Sequence, residues 1–270
     1  MNIALAILLL VLLLLAGRWV YHRQRRKNLL KTPLPPDHKA IIAKAVPLSS
    51  RLPPALRTRF EGLINLFLDQ VTFIGCDGLE VTDEMRVVIA AQASILVLSK
   101  ENRWYKTLRT IMLYPDAFTS KQTSHDGHVE TAKNQARLGE SWQRGPIVLS
   151  WKHSAYGAFL DTDGHNVVMH EFAHQLDEQT GVTDGAPLLD RDHKASDWAK
   201  AFQDAFARHK KSTAKGRKTT IDPYGATNPA EFFAVVVETF FEQPENLKED
   251  EPEIYTQLAK YFQLDPVRWK

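Results

Sequence analysis

His170-Glu171-Phe172-Ala173-His174 carries the pattern His-Glu-x-x-His inside an apolar run from Val167 to Leu176. On a helix, residues four apart share a face, so both imidazoles can turn a ring nitrogen toward one cation. Glu171, about 100° round the axis, stands beside the remaining coordination position. A zinc ion with nitrogen and oxygen ligands and one open position acidifies a water, and a neighbouring carboxylate can take that water's proton. Chance placement on an ordinary helix is the competing explanation. Val168, Met169, Phe172, Ala173 and Leu176 weigh against it, because they make the helix largely buried. Two histidines and a carboxylate are costly there unless they are paired or ligate something.

A third ligand has to come from another segment. A metzincin would place a glycine and a histidine three and six residues after the second histidine; Asp177 and Thr180 stand there instead and exclude that class. Asn228-Pro229-Ala230-Glu231 announces a helix start, with Asn228 as cap and Pro229 in the first turn. Glu231 is therefore either a capping-box glutamate or a ligand. The helix it opens is apolar apart from Glu231 and Glu238, seven residues apart and on one face, and two carboxylates there need a cation or donors. A zinc held by His170, His174 and Glu231, with Glu238 orienting a histidine, satisfies both; the reverse assignment of the two glutamates stays open. Asp177 either accepts from a ligand histidine or lies exposed at the helix end. Polar surroundings make His193 and His209 surface residues.

Several elements must position these groups. The apolar stripe Leu56, Phe60, Leu63, Ile64, Phe67, Leu68 predicts a helix from about Ala55 to Gln70. Val71–Ile74 reads as a strand, Asp77-Gly78 as a turn, and Thr82 as the cap of a buried helix from Asp83 to about Leu98. Leu108–Tyr114 reads as a strand. Ser120–Glu140, with His125 and His128, is polar enough for a surface loop. Gly145–Trp151 reads as a strand just before the motif helix, either interior or an edge that holds an extended substrate. Ser154–Gly164 reads as a loop.

The chain has 270 residues, 44% hydrophobic and 24% charged, with net charge +2, which is ordinary globular usage and gives no argument for nucleic-acid binding. One cysteine, Cys76, excludes an intrachain disulfide and multi-thiolate zinc, and suits a reducing compartment. The N-terminus departs from this. Ile3–Ala16 is unbroken Ile, Ala, Leu and Val, followed by the basic cluster His22–Lys27. We expect a transmembrane anchor over 1–21, then a basic, Pro-rich linker over 22–36 and a catalytic domain over 37–270. The basic cluster after the span puts the bulk of the chain on the cytoplasmic side of the inner membrane, with the membrane itself a partner. A cleaved signal peptide fits less well, since no basic residue precedes the run and Leu14-Leu15 make a poor cleavage site.

Leu79–Arg86, His170–Asp177 and Asn228–Ala234 followed by Phe240-Phe241, in that order, resemble the Mlc titration factor A family of zinc metallopeptidases over most of 37–270. The resemblance implies zinc on His170, His174 and Glu231, Glu171 as general base, and Tyr224, seven residues before the glutamate ligand, helping to stabilise an oxyanion. It implies a zincin-type α/β (α+β) fold, mostly helical with a small sheet and similar to the catalytic domain of anthrax lethal factor, and aminopeptidase-like activity on peptide or protein substrates. The founder binds the transcriptional repressor Mlc and has no membrane anchor. The alternative expectation is accordingly a membrane-tethered protein that sequesters a transcriptional regulator.

Overall fold

The computed structural model describes residues 3–99, 104–126, 129–137, 139–141 and 145–269. The chain runs through α1 (Ile3–Leu29), α2 (Pro36–Ala45), α3 (Pro54–Gln70), β1 (Thr72–Gly75), α4 (Asp83–Ile95), β2 (Thr110–Tyr114), β3 (Phe118–Asp126), β4 (Val129–Arg137), β5 (Gly139–Ser141) and β6 (Ile147–Ser150). It continues with α5 (Trp151–Phe159), α6 (Val167–Asp177), α7 (Ala195–Ala214), α8 (Pro229–Glu242), α9 (Pro244–Asp250) and α10 (Pro252–Phe262). Helices dominate, as expected, around one small sheet of order β1-β2-β6-β5, in which β1, β2 and β6 are parallel and β5 is antiparallel.

Local chemistry explains most of these elements. The stripe on α3 buries Phe60, Leu63, Ile64 and Phe67. α4 is buried almost all round from Val87 to Ile95, and its Thr82 hydroxyl accepts the Met85 N–H at 3.3 Å. Parallel strands need a crossover, and α4 supplies the one between β1 and β2.

Two expectations are corrected here and one open alternative is decided. Where a loop was expected over Ser120–Glu140, the described residues form strands, with β3 and β4 paired antiparallel from Phe118↔Arg137 to Asp126↔Val129 and β5 paired to β6. The sequence of these strands shows no apolar alternation, so polarity alone read as irregular. His128 lies outside the described residues. The strand at 147–150 is interior, buried at every position between β2 and β5, so it cannot hold a substrate by an edge; β5 is the edge strand on that side. Residues 154–159 are helical, because the Ser150 hydroxyl accepts from His153 N–H and starts α5.

The anchor expected at 1–21 falls partly outside the described residues and side chains, and among those described no helix is long and apolar enough to cross a membrane. The fourteen-residue apolar run is short of the ~20 residues a span ordinarily uses, and α1 continues through the basic cluster without a break. Its end is docked. The Arg25 Nε is 3.1 Å from both Asp69 carboxylate oxygens and the Arg26 guanidinium lies over the Trp104 ring. Asn65 donates to the Thr32 carbonyl at 2.7 Å and the Leu34 N–H to Glu61 at 2.9 Å. Gly62 is required at this crossing, since a Cβ there would lie 2.3 Å from the Leu30 carbonyl oxygen. Farther up α1, Leu9 to Leu15, Trp19, Val20 and Tyr21 are exposed.

Candidate metal centre

α6 and α8 pack against each other, and the site forms between them. Asn166 starts α6 by accepting the Met169 N–H on its side-chain oxygen at 2.9 Å. Asn228 starts α8 in the same way, accepting the Glu231 N–H at 2.9 Å. Both are the ordinary Asn cap, which satisfies a donor that the first turn leaves free. The caps fix where each helix begins, and with it which side chains face the other helix.

The facing groups are His170, His174 and Glu231, whose ligand atoms all lie within 4.8 Å of one another. His170 Nε2 is 2.9 Å from Glu231 Oε2 and 3.2 Å from His174 Nε2, and His174 Nε2 is 3.4 Å from the same Glu231 oxygen. Glu231 therefore turns its carboxylate to the histidines. Glu238 sits on the far side of His170, its Oε1 2.8 Å from Nδ1, while its other oxygen accepts the Asn166 backbone N–H. With Nδ1–H committed to Glu238, Nε2 is the atom left to ligate.

Electrostatics agree with this geometry. Burial opposes charge on His170, but the hydrogen bonds to Glu231 and Glu238 outweigh it and hold the imidazolium well above the usual histidine range. Burial likewise works against a charged Glu231, yet the hydrogen bonds to His170 and His174 hold its carboxyl far below the usual carboxylate range. A carboxylate and two imidazoles converge in this way, and a divalent cation fits the same nitrogen and oxygen donors. Glu171, next to His170 on α6, is buried, and that burial pushes its carboxyl upward against the pull of both histidines.

Sequence reasoning missed the brace around the loop that leads into α6. Glu242, four residues past Glu238 and on the same face, accepts from the Asn166 side chain at 3.0 Å and from the Gly164 N–H at 3.0 Å. Burial pushes its carboxyl up to about 8. The signal was present as a third acid, eleven residues after Glu231, on an apolar helix. Asp177 is buried rather than exposed, and one oxygen accepts the Gly185 N–H at 2.7 Å. Its other oxygen and His174 Nδ1 are buried without a protein partner. Gly185 is gripped from three sides: Trp198 Nε1 donates to its carbonyl, and at φ +81° its Cα faces the Pro229 carbonyl, 2.5 Å from where a Cβ would stand.

Tyr224 lies on a single 3-10 turn, Pro223–Ala226, half-exposed, with its ring centroid 6.0 Å from that of His170. His193 and His209, expected at the surface, are both buried; neighbours in space rather than in sequence cover them, Trp198 over the first and Phe232 over the second.

The model of the glucose-regulated metallopeptidase family M90 matches residues 20–263. The chain belongs to this family. An uncharacterised protein of Synechocystis is 43% identical over 97% of this chain and 98% of its own length. Two proteins named Mlc titration factor A are also similar: that of Pectobacterium atrosepticum is 33% identical, covering 83% of this chain and 85% of the relative, and that of Klebsiella pneumoniae 31% identical, covering 84% and 86%. A metallopeptidase family implies a metal, and among the described residues of this M90 chain one cluster, His170, His174 and Glu231, could hold a metal ion.

Proposed function

We propose that the protein is a zinc peptidase of zincin-like architecture, with His170, His174 and Glu231 as ligands, Glu171 as general base and Tyr224 as oxyanion donor. The convergence of the three ligand atoms beside a buried glutamate carries the reading. A zinc ion there supplies Lewis acidity toward a scissile carbonyl. Glu171 takes a proton from the attacking water and passes it to the leaving amine, and Tyr224 donates its hydroxyl proton to the developing oxyanion. Among the described residues β5 ends the sheet beside β6, and an extended peptide pairing there would suit a peptide substrate. The exposed leucines of α1 support attachment to the inner membrane, with the docked basic end holding the catalytic domain on the cytoplasmic side.

The test uses the full chain in detergent, with metal by elemental analysis and a panel of short peptides, for wild type and Glu171→Gln. About one zinc per chain in both, with cleavage only in the wild type, is the expected result. Absence of zinc from the wild type overturns it.

The names of the relatives favour a second reading, in which the chain binds a transcriptional regulator such as Mlc and hydrolysis is secondary. A buried base beside the ligands has no use in pure binding. If Glu171→Gln keeps zinc and loses cleavage yet still binds the regulator and sequesters it as the wild type does, binding is the function.

A further inference from the structure

We propose that His209, on α7, is a positioning residue for Tyr224 and acts through Asp222; this rests on the reading of Tyr224 as oxyanion donor.

Tyr224 lies on a single 3-10 turn, so its position follows how that turn is held. Asp222 is the grip. Its Oδ1 accepts the Tyr224 N–H at 2.7 Å, and its backbone carbonyl accepts the Gly225 N–H at 3.0 Å. That same carbonyl lies 3.1 Å from His209 Nε2. A carbonyl oxygen has no proton to give, so Nε2 carries it and donates, which fixes the tautomer. On the outer side His165 Nε2 stands 3.7 Å from Asp222 Oδ2. From the other end of the turn, Thr227 donates to the Tyr224 carbonyl through its hydroxyl at 2.7 Å and its N–H at 3.1 Å.

His209 reaches into this arrangement from the core. It is 3% exposed, and its ring packs at 5.7 Å on Phe232, the residue after the ligand Glu231. An imidazole at an apolar, buried position costs more than Phe or Leu would, unless its hydrogen bond is used. Here the bond ties the pivot of Tyr224 to the helix that carries Glu231, through α7 and Phe232. The distance between oxyanion donor and metal ligands is thereby set by packed core rather than by a free turn.

The experiment uses the full chain in detergent, with zinc content and Tm as controls and kcat and KM read on a cleaved peptide. The variants are His209→Phe, which fills the space without a donor, His209→Gln, which keeps an N–H, Tyr224→Phe, and the double variant His209→Phe/Tyr224→Phe. A displaced donor costs rate rather than ground-state binding, so His209→Phe lowers kcat about tenfold with KM changed less than about twofold. His209→Gln restores most of that loss, and in the Tyr224→Phe background His209→Phe adds nothing further. Should the Phe variant not fold, His209→Met, which adapts to irregular space, is read the same way. A kcat unchanged in a folded His209→Phe, no rescue by Gln, or losses that multiply in the double variant overturn the inference alone. A Tyr224→Phe without effect, or a wild type that cleaves nothing, overturns the underlying reading and this one with it.

Discussion

Glu238→Gln separates the two jobs of one carboxylate. Glu238 is buried and accepts from His170 Nδ1 at 2.8 Å with one oxygen and from the Asn166 N–H with the other. Glutamine keeps the shape but has one acceptor and one donor group. Whichever way the amide turns, its NH₂ faces an N–H, either that of His170 or that of Asn166. One hydrogen bond to a charged group is lost, worth about 1.5–3 kcal/mol, and a donor is left buried. When the loss falls on His170, the imidazole is no longer held with Nε2 toward Glu231, and metal affinity drops about 10–100-fold, as for other carboxylates that orient ligand histidines. The assay is competition for zinc against a chromophoric chelator at two pH values. The deficit is smaller at the lower pH, because Glu238 also strengthens the proton that competes with the metal for His170. Wild-type affinity at both pH values would refute the argument that Glu238 orients the ring.

Other outcomes follow from the same geometry. Glu171→Gln keeps the ligand set and lowers kcat about 10²–10⁴-fold, checked by peptide hydrolysis on metal-loaded protein. Gly185→Ala is destabilised by about 1–3 kcal/mol in urea unfolding, since φ +81° and the Pro229 carbonyl 2.5 Å away leave no room for a methyl group. Burial raises Glu242 from 4.5 to about 8, so the folded protein binds that proton more tightly than the unfolded chain. Its stabilising contribution is full below about 4.5 and is lost as pH rises through about 8. Tm against pH therefore falls less steeply for Glu242→Gln than for wild type over that window, and parallel curves would refute the assignment. Chelation lowers Tm, because a ligand bound only by the folded state stabilises it by mass action; an unchanged Tm after metal removal would show that the centre is not coupled to folding.

The parts legible in the sequence were those set by local rules. The α3 stripe, the Thr82 and Asn228 caps and the four-residue spacing of His170 and His174 each depend on residues within a turn or two. Glu238 was legible because an acid on an apolar helix face demands a partner. Placement in three dimensions was not. Whether β6 lay inside the sheet or at its edge depended on β5, three residues long. His209 sits among charged neighbours in sequence, and segments distant in the chain, Phe232 on α8 and the turn from Asp222, bury it. The start of α5 hung on one serine hydroxyl, and the hairpin on pairing between two polar segments.

α8 carries Glu238 seven and Glu242 eleven residues after Glu231, so the proposed ligand, the carboxylate bonded to His170 and the prop under α6 form one rigid ruler. One residue inserted or deleted between Glu231 and Glu238 would turn them apart by about 100° and remove the later acids from the site together. This stretch tolerates exchange of side chains but not a change of length. Divergence among related chains is therefore expected as changes of length outside this stretch, with the count from Glu231 to Glu242 left unaltered.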